Sequence, residues 1–220
     1  AGALVEALRN NQRVVVLENQ LVSLDVGVMV EGAIGDTAVT VDLSGKYADL
    51  IKAAEAALRD ATRVMDSGVF SLGRIGRMIE ETIVSYGYKP IRNLSGHGLA
   101  RFEIHKAPTI PNFDTGDKTV IQENTFFAIE PFASTGAGLI YETDRANIYS
   151  VIEKKPIRSI ITREVFKEIE KYQGTPFTTR WLAAKFPLFK VNFALKELLQ
   201  SKCIHAHPPL IDKDKGMVAQ

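Results

Sequence analysis

The sequence predicts an α+β fold, and three observations carry that expectation. Leu21–Leu43 alternates and is rich in Val and Ile, with a break at Glu31-Gly32, the pattern of two strands joined by a tight turn. Two helix-period stretches follow it. After Pro90 the chain becomes strand-like and glycine-punctuated, and beyond Ile157 it turns to short amphipathic helices, so strands and helices segregate along the chain instead of alternating.

Each element has a local cause. From Lys46 to Met65 the apolar residues Leu50, Ile51, Ala54, Ala57, Leu58, Ala61 and Val64 fall on one helical face, and Gly68 supplies a stop. A second helix from about Leu72 to Tyr86 starts after Ser71 as N-cap and ends before Gly87. Gly96, Pro108, Pro111 and Gly116 punctuate a region of loops and sheet that enters the apolar run Thr125–Ser134, interrupted by the single charge of Glu130. Arg163–Tyr172, Phe177–Lys185 and Phe189–Lys202 read as three short helices closed by His207-Pro208-Pro209.

Composition narrows the class. With 220 residues of which 45% are hydrophobic, the chain can bury one substantial core, or one core plus a small satellite. It has no apolar run long enough to span a membrane, and AGALVEALRNNQRVVV lacks the layout of a signal peptide, which makes a cytoplasmic protein without a membrane the expectation. Its single cysteine, Cys203, cannot form an internal disulfide and lies in a helical-looking run, where a buried thiol is inert. The net charge of +1 conceals a division: residues 1–153 carry 14 Lys+Arg against 20 Asp+Glu, and residues 154–220 carry 13 against 6. The acidic part suits hard cations and the basic part a polyanion.

Four residues stand out chemically. Asp25 and Asp36 lie on the two arms of the predicted hairpin, and a turn centred near Val30/Glu31 places them opposite each other on one face. Facing carboxylates repel, so such a pair calls for a cation or a proton. His97 sits between Gly96 and Gly98, which let the backbone approach something closely, and Glu130 is a lone carboxylate in Phe126-Phe127-Ala128-Ile129-Glu130-Pro131-Phe132, costly to bury unless it is paired. Taken singly, each has an ordinary reading as a turn, edge or hydrogen-bonded residue. As a set, two aspartates, a histidine and a glutamate fit a metal centre. The pair in His205-Ala206-His207 is a weaker metal candidate beside a plain surface loop, and the Gly136/Gly138 pair lacks the third glycine and following helix of a phosphate loop.

The segments Leu24-Asp25-Val26-Gly27-Val28, Gly35-Asp36-Thr37-Ala38-Val39-Thr40-Val41, Asn93-Leu94-Ser95-Gly96-His97, Ile104-His105 with Ile110-Pro111-Asn112, and Ala128-Ile129-Glu130-Pro131-Phe132-Ala133 resemble, in order, the motifs of methionine aminopeptidases. The resemblance runs from about Arg13 to Gln220, and the helical stretch after Glu130 resembles the insertion of type 2, archaeal-like members. It implies a pita-bread fold with residues 1–153 as catalytic core, 154–212 as a winged-helix-like helical insertion and 213–220 as a return strand. It further implies two divalent ions (Co, Mn, Fe or Zn), Asp25 on one, Asp36 bridging both, and His97 and Glu130 completing the other. His105 matches the substrate-contacting catalytic position.

The implied activity is removal of the initiator methionine from nascent chains by a monomer, with the basic 154–220 region able to lean on the ribosome. By the family pattern a second bridging glutamate lies two residues beyond a segment like Gly216-Met217-Val218-Ala219-Gln220, and a first half-repeat precedes Arg13, which Ala1–Asn10 does not match. The resemblance therefore implies a chain short at both ends that binds metal and turns over weakly. Met29 and Glu31 also depart from the pattern, at positions that are not ligands in it. Two other readings stay open: an inactive homologue that binds the ribosome or nucleic acid, and a prolidase or aminopeptidase P type of peptidase.

Overall fold

A computed structural model describes residues 20–66, 68, 70–143 and 146–220. Ala1–Asn10 and the start of the resemblance at Arg13 lie outside the described residues. The chain divides into two compact units, one made of the residues up to Tyr141 together with Ile211–Gln220, the other of Glu142–Leu210.

The first unit opens with β1 (Leu21–Val30) and β2 (Ala33–Asp42), an antiparallel hairpin. Glu31 and Gly32 turn the chain, both at positive φ (51° and 91°), the backbone that a two-residue hairpin turn requires. At the base of the hairpin the Asp42 carboxylate accepts from the backbone N–H groups of Ser44 (2.8 Å), Gly45 (3.1 Å) and Tyr47 (2.6 Å), which shapes the approach to α1 (Ala48–Asp66). The helix α2 (Leu72–Ser85) starts where Ser71 Oγ accepts from Arg74 N (3.3 Å), and the chain leaves it through Gly87 at φ 82°.

These two helices pack small against large. Ala53, Ala54, Ala57 and Ala61 of α1 are buried in one cluster with Ile75, Ile79 and Ile83 of α2, and alanine lets the helices approach closely while favouring helix itself. The strands β3 (Lys89–Pro90), β4 (Ser95–Ala100), β5 (Glu103–Pro111), β6 (Phe126–Ala128), β7 (Ala133–Ser134) and β8 (Ile140–Glu142) follow. Of these, β4, β5 and β6 form the ladder β5-β4-β6, and β3 and β7 join the later β13 (Val218–Ala219) in the ladder β13-β7-β3. Ile110, Ala133 and Ala219 from these ladders complete the helical core.

The second unit contains β9 (Ile148–Val151), α3 (Ile160–Ile169), β10 (Phe177–Thr178), α4 (Thr179–Ala183), α5 (Leu188–Gln200) and β11 (Ile204–His207). Its sheet is ordered β10-β9-β11, and its core gathers Tyr149, Val165, Phe166, Ile169, Phe177, Leu182, Val191, Leu195 and Leu198. The unit begins at Glu142, ahead of the predicted 154, because Tyr149 and Val151 of β9 pack into this core and pair with β10 and β11. The predicted helix over Phe177–Lys185 is shorter: Phe177 and Thr178 pair with β9, and Thr178 caps what remains. Cys203 is buried but lies in the turn after α5, not in the helix. Among the described residues no helix is long and apolar enough to cross a membrane.

Where the chain returns to the first unit through β12 (Leu210–Asp212), Asp212 is 2% exposed and organises the turn at Gly136–Gly138. Its carboxylate accepts from Ala137 N (2.8 Å), Gly138 N (3.0 Å), Asp214 N (2.9 Å) and Ser134 Oγ (2.9 Å). The glycine turn thus cradles an internal carboxylate. A Cβ at Gly136 would lie 2.2 Å from Asp212 Oδ1, so the approach demands glycine. Burial pushes the Asp212 carboxyl up, but these four donors outweigh it and hold its pKa below the ordinary value.

Replacing Asp212 by alanine leaves those buried donors without an acceptor and is expected to cost about 3 kcal/mol at pH 7, read by urea unfolding. Because the folded-state pKa is depressed, the carboxylate's contribution is complete above pH about 4 and is lost as the folded form is protonated at lower pH. The gap between wild type and Asp212→Ala therefore narrows in acid; a gap constant from pH 7 to pH 3 would contradict this assignment.

Candidate metal centre

His97 stands in β4, the middle strand of β5-β4-β6, and its two glycine neighbours explain how it gets there. A Cβ at Gly96 would lie 2.2 Å from Ala128 O, and one at Gly98 would lie 2.3 Å from Ala107 O, so both flanking strands press against a backbone that only glycine can offer. The ladder breaks beside it: His97 pairs with Thr109, but Gly98 pairs with Lys106. That irregularity skips residues on β5 and brings the His105 ring to the His97 ring, with centroids 4.4 Å apart and planes at 75°.

Glu130 follows β6, which pairs with β4 at His97↔Ala128. Asn112, 0% exposed, fixes the segment beyond it: its Nδ2 donates to Leu94 O (3.0 Å), three residues before His97, and its Oδ1 accepts from Phe132 N (3.1 Å), two residues after Glu130. One buried amide therefore ties the histidine strand to the glutamate loop. The only sequence signal for it is a polar residue closing the otherwise apolar Ile110-Pro111-Asn112, and its bridging role is not predictable from that.

On this frame Asp36, His97 and Glu130 each offer one ligand atom, and these atoms lie within 4.8 Å of one another. His97 Nε2 is 2.9 Å from Glu130 Oε1 and 3.5 Å from Asp36 Oδ2. Its Nδ1 lies 3.2 Å from Gly98 O, where it serves as a donor, which leaves the Nε2 lone pair aimed between two carboxylates. Such an arrangement is repulsive unless a proton or a cation occupies the centre. The donor set of one imidazole and two carboxylates, with the second imidazole nitrogen held by a carbonyl, suits a divalent transition-metal ion.

The electrostatics agree. Desolvation, then the charge of Glu130, raises the pKa of Asp36. Desolvation, then the charges of Asp36 and Glu130, raises that of Asp25. For His97, burial acts downward, but the hydrogen bond and charge of Glu130, the Gly98 carbonyl and Asp36 together carry its pKa upward. His105 moves the other way, lowered first by desolvation and then by the His97 charge. The cluster favours added positive charge at its centre, and His105 beside it favours the neutral imidazole.

Asp25 is placed differently from the expectation. The turn falls at Glu31–Gly32, one position later than predicted, so Asp25 faces Ala38 and Asp36 faces Gly27. The two aspartates are diagonal neighbours on one face of the hairpin instead of a directly opposed pair. Asp25 does not join the group of three, although its charge is coupled to theirs. His205 and His207 are also neighbours, with ring centroids 4.9 Å apart, and His207 Nε2 is 2.9 Å from Ser150 Oγ. Among the described residues, only Asp36, His97 and Glu130 form a group of three or more donors able to hold a metal.

Residues 2–170 match metallopeptidase family M24. The chain is 39% identical over 204 residues to the methionine aminopeptidase of Methanocaldococcus jannaschii, a stretch covering 92% of this chain and 68% of that one. It resembles the structure of the Thermotoga maritima methionine aminopeptidase at a TM-score of 0.52 and 33% identity, over 57% of this chain and 51% of that one. It also shares its fold with a thermophilic Arx1, at a TM-score of 0.74 and 15% identity, over 91% of this chain and 62% of that one. The match over residues 2–170 and the likeness to the Thermotoga maritima structure show a pita-bread fold, and this chain belongs to metallopeptidase family M24.

Proposed function

We propose that the protein is a methionine aminopeptidase of the type 2 kind, releasing the first methionine from nascent chains. The observation that carries the reading is the convergence of Asp36, His97 and Glu130 ligand atoms within 4.8 Å, in a chain 39% identical to a methionine aminopeptidase over 92% of its length. The type 2 assignment is supported by the helical unit over Glu142–Leu210 that follows Glu130. The excess of base over acid in residues 154–220, 13 against 6, supports docking of that basic region on the ribosome, where nascent chains emerge in the cytoplasm.

In this reading Asp36, His97 and Glu130 would hold one divalent ion, and Asp25 with Asp36 would help to hold a second. The pair is drawn from Mn, Fe, Co and Zn, which this donor set admits. When bound, such ions supply Lewis acidity toward water and toward the scissile carbonyl. The chain's own residues then divide the remaining work. The Gly98 carbonyl orients the His97 ring through Nδ1 and so presents Nε2 to the space between Glu130 and Asp36. His105, kept neutral by its surroundings, touches the His97 ring and can donate from one nitrogen and accept at the other, as contact with a peptide amide requires.

Metal analysis of the purified full-length protein, alongside methionine release from a Met-Ala-Ser peptide, tests the whole reading. Uptake of divalent ions with release of methionine is expected; release of proline-adjacent residues instead would point to a prolidase, and neither uptake nor release would overturn it. Asp36→Asn is expected to abolish both metal retention and turnover, because an amide lacks the charge to hold two cations. His105→Ala should retain metal and lower kcat by roughly 100-fold, the scale of one positioned acid–base group. Equal loss of metal in the two variants would refute this division of roles.

A further inference from the structure

The β1–β2 hairpin is a two-stranded sheet of its own, hydrogen-bonded to no other strand ladder among the described residues. Two strands alone are marginal in water, so the position of Asp36 depends on what grips the hairpin from outside. It is gripped at two places. Near the base, Thr40 Oγ1 donates to Gln220 O (2.9 Å), accepts from Gln220 N (3.0 Å) and meets Ser23 Oγ (2.9 Å). At the tip, Phe102 N donates to Gly32 O (2.9 Å) and Arg101 Nε donates to Glu31 O (2.9 Å). Asp36 lies midway along β2 between Gly32 and Thr40.

The tip contact is strained. Phe102 has φ 62°, the left-handed region that a bulky aromatic residue rarely adopts, and it sits in the tight turn between β4 and β5, two strands that flank or carry the histidines. Its ring covers Gly32 so closely that a Cβ there would lie 2.6 Å from Phe102 Cε2 and 2.5 Å from Arg101 Cγ. Strained backbone of this kind persists where its surroundings over-determine it, and it concentrates at clamps and functional sites.

We propose that Phe102, assisted by Arg101, is a positioning residue of the metal centre: by clasping the hairpin tip at Gly32 it sets Asp36, on one sheet, against His97, on another. The clasp spans the one gap between ligand-bearing elements that no strand pairing closes. Asn112 already ties the His97 strand to the Glu130 loop. The inference rests on the metal-centre reading above, and it concerns how that centre is assembled.

The decisive variant is Phe102→Gly. Glycine adopts φ 62° without penalty and keeps the N–H that donates to Gly32 O, so it removes the ring and the strain together. A merely structural Phe102 would leave the hairpin and the metal affinity as they are, apart from a small shift in Tm. A positioning Phe102 gives two other results in the full chain. Amide hydrogen exchange at Gly35 and Thr37 in metal-free protein should rise about 10-fold or more while exchange in α1 is unchanged, because only local opening is eased. Mn2+ affinity by titration calorimetry should fall about 10-fold, the scale of losing support around metal ligands.

Phe102→Tyr should restore both readouts, and Arg101→Ala should reproduce them in weaker form. Unchanged exchange at Gly35 and Thr37 in Phe102→Gly, or unchanged Mn2+ affinity, would overturn the clasp. Wild type that binds no Mn2+ while exchange responds to the variant would bring down the metal-centre reading and the positioning role with it, a different failure from that of the clasp alone.

Discussion

The fold is organised around a contact that it must force: the carboxylates of Asp36 and Glu130 held against the same nitrogen of His97. Left to themselves these groups would separate, since like charges repel more strongly as water is excluded. Covalent connection supplies little help, because the three residues lie on a hairpin, a central strand and a loop separated by as many as 94 positions of sequence. What keeps them together is apolar packing and backbone hydrogen bonding elsewhere. The alanine face of α1 and the isoleucines of α2 build the layer beneath, and Gly96 and Gly98 let three strands close up around the histidine.

That division of labour explains why parts of the molecule are legible in sequence and parts are not. The hairpin follows from its alternation and from Glu31-Gly32, and α2 from Ser71 and Gly87, because these signals are local. The chemistry of His97 and Glu130 is legible for a related reason: a histidine between glycines and a carboxylate among aromatics are each anomalous for their surroundings. The offset of Asp25 from Asp36 is not legible, since it turns on a register set by the placement of one turn, and shifting that centre by one residue changes a facing pair into a diagonal one.

Longer-range ties leave weaker traces. Nothing in the residue type of Asn112 or Asp212 announces that each collects backbone groups from segments far away, because the partners are main-chain atoms and carry no sequence pattern. The left-handed backbone of Phe102 is hidden even more fully, since phenylalanine is a poor choice for it and only the surrounding contacts make it stable. The start of the second unit at Glu142 leaves no mark of its own, since β9 is a four-residue strand that its pairing with β10 and β11, distant in sequence, assigns to that unit.

The second unit has one feature that bears on how such a chain assembles. Thr143 N and Thr143 Oγ1 both donate to Pro209 O at 2.9 Å, so the unit fastens its own two ends together. An open loop running from Tyr141 to Ile211 would cost the first unit about 4 kcal/mol of closure entropy before Asp212 could meet Gly136–Gly138. Once Glu142–Leu210 has folded on itself, that cost has already been met by its own core, and the rest of the chain encounters a short, pre-closed connection. A self-fastening unit of this kind keeps the effective loop between Tyr141 and Ile211 short, so the approach of Asp212 to Gly136–Gly138 does not depend on how many residues fold within it.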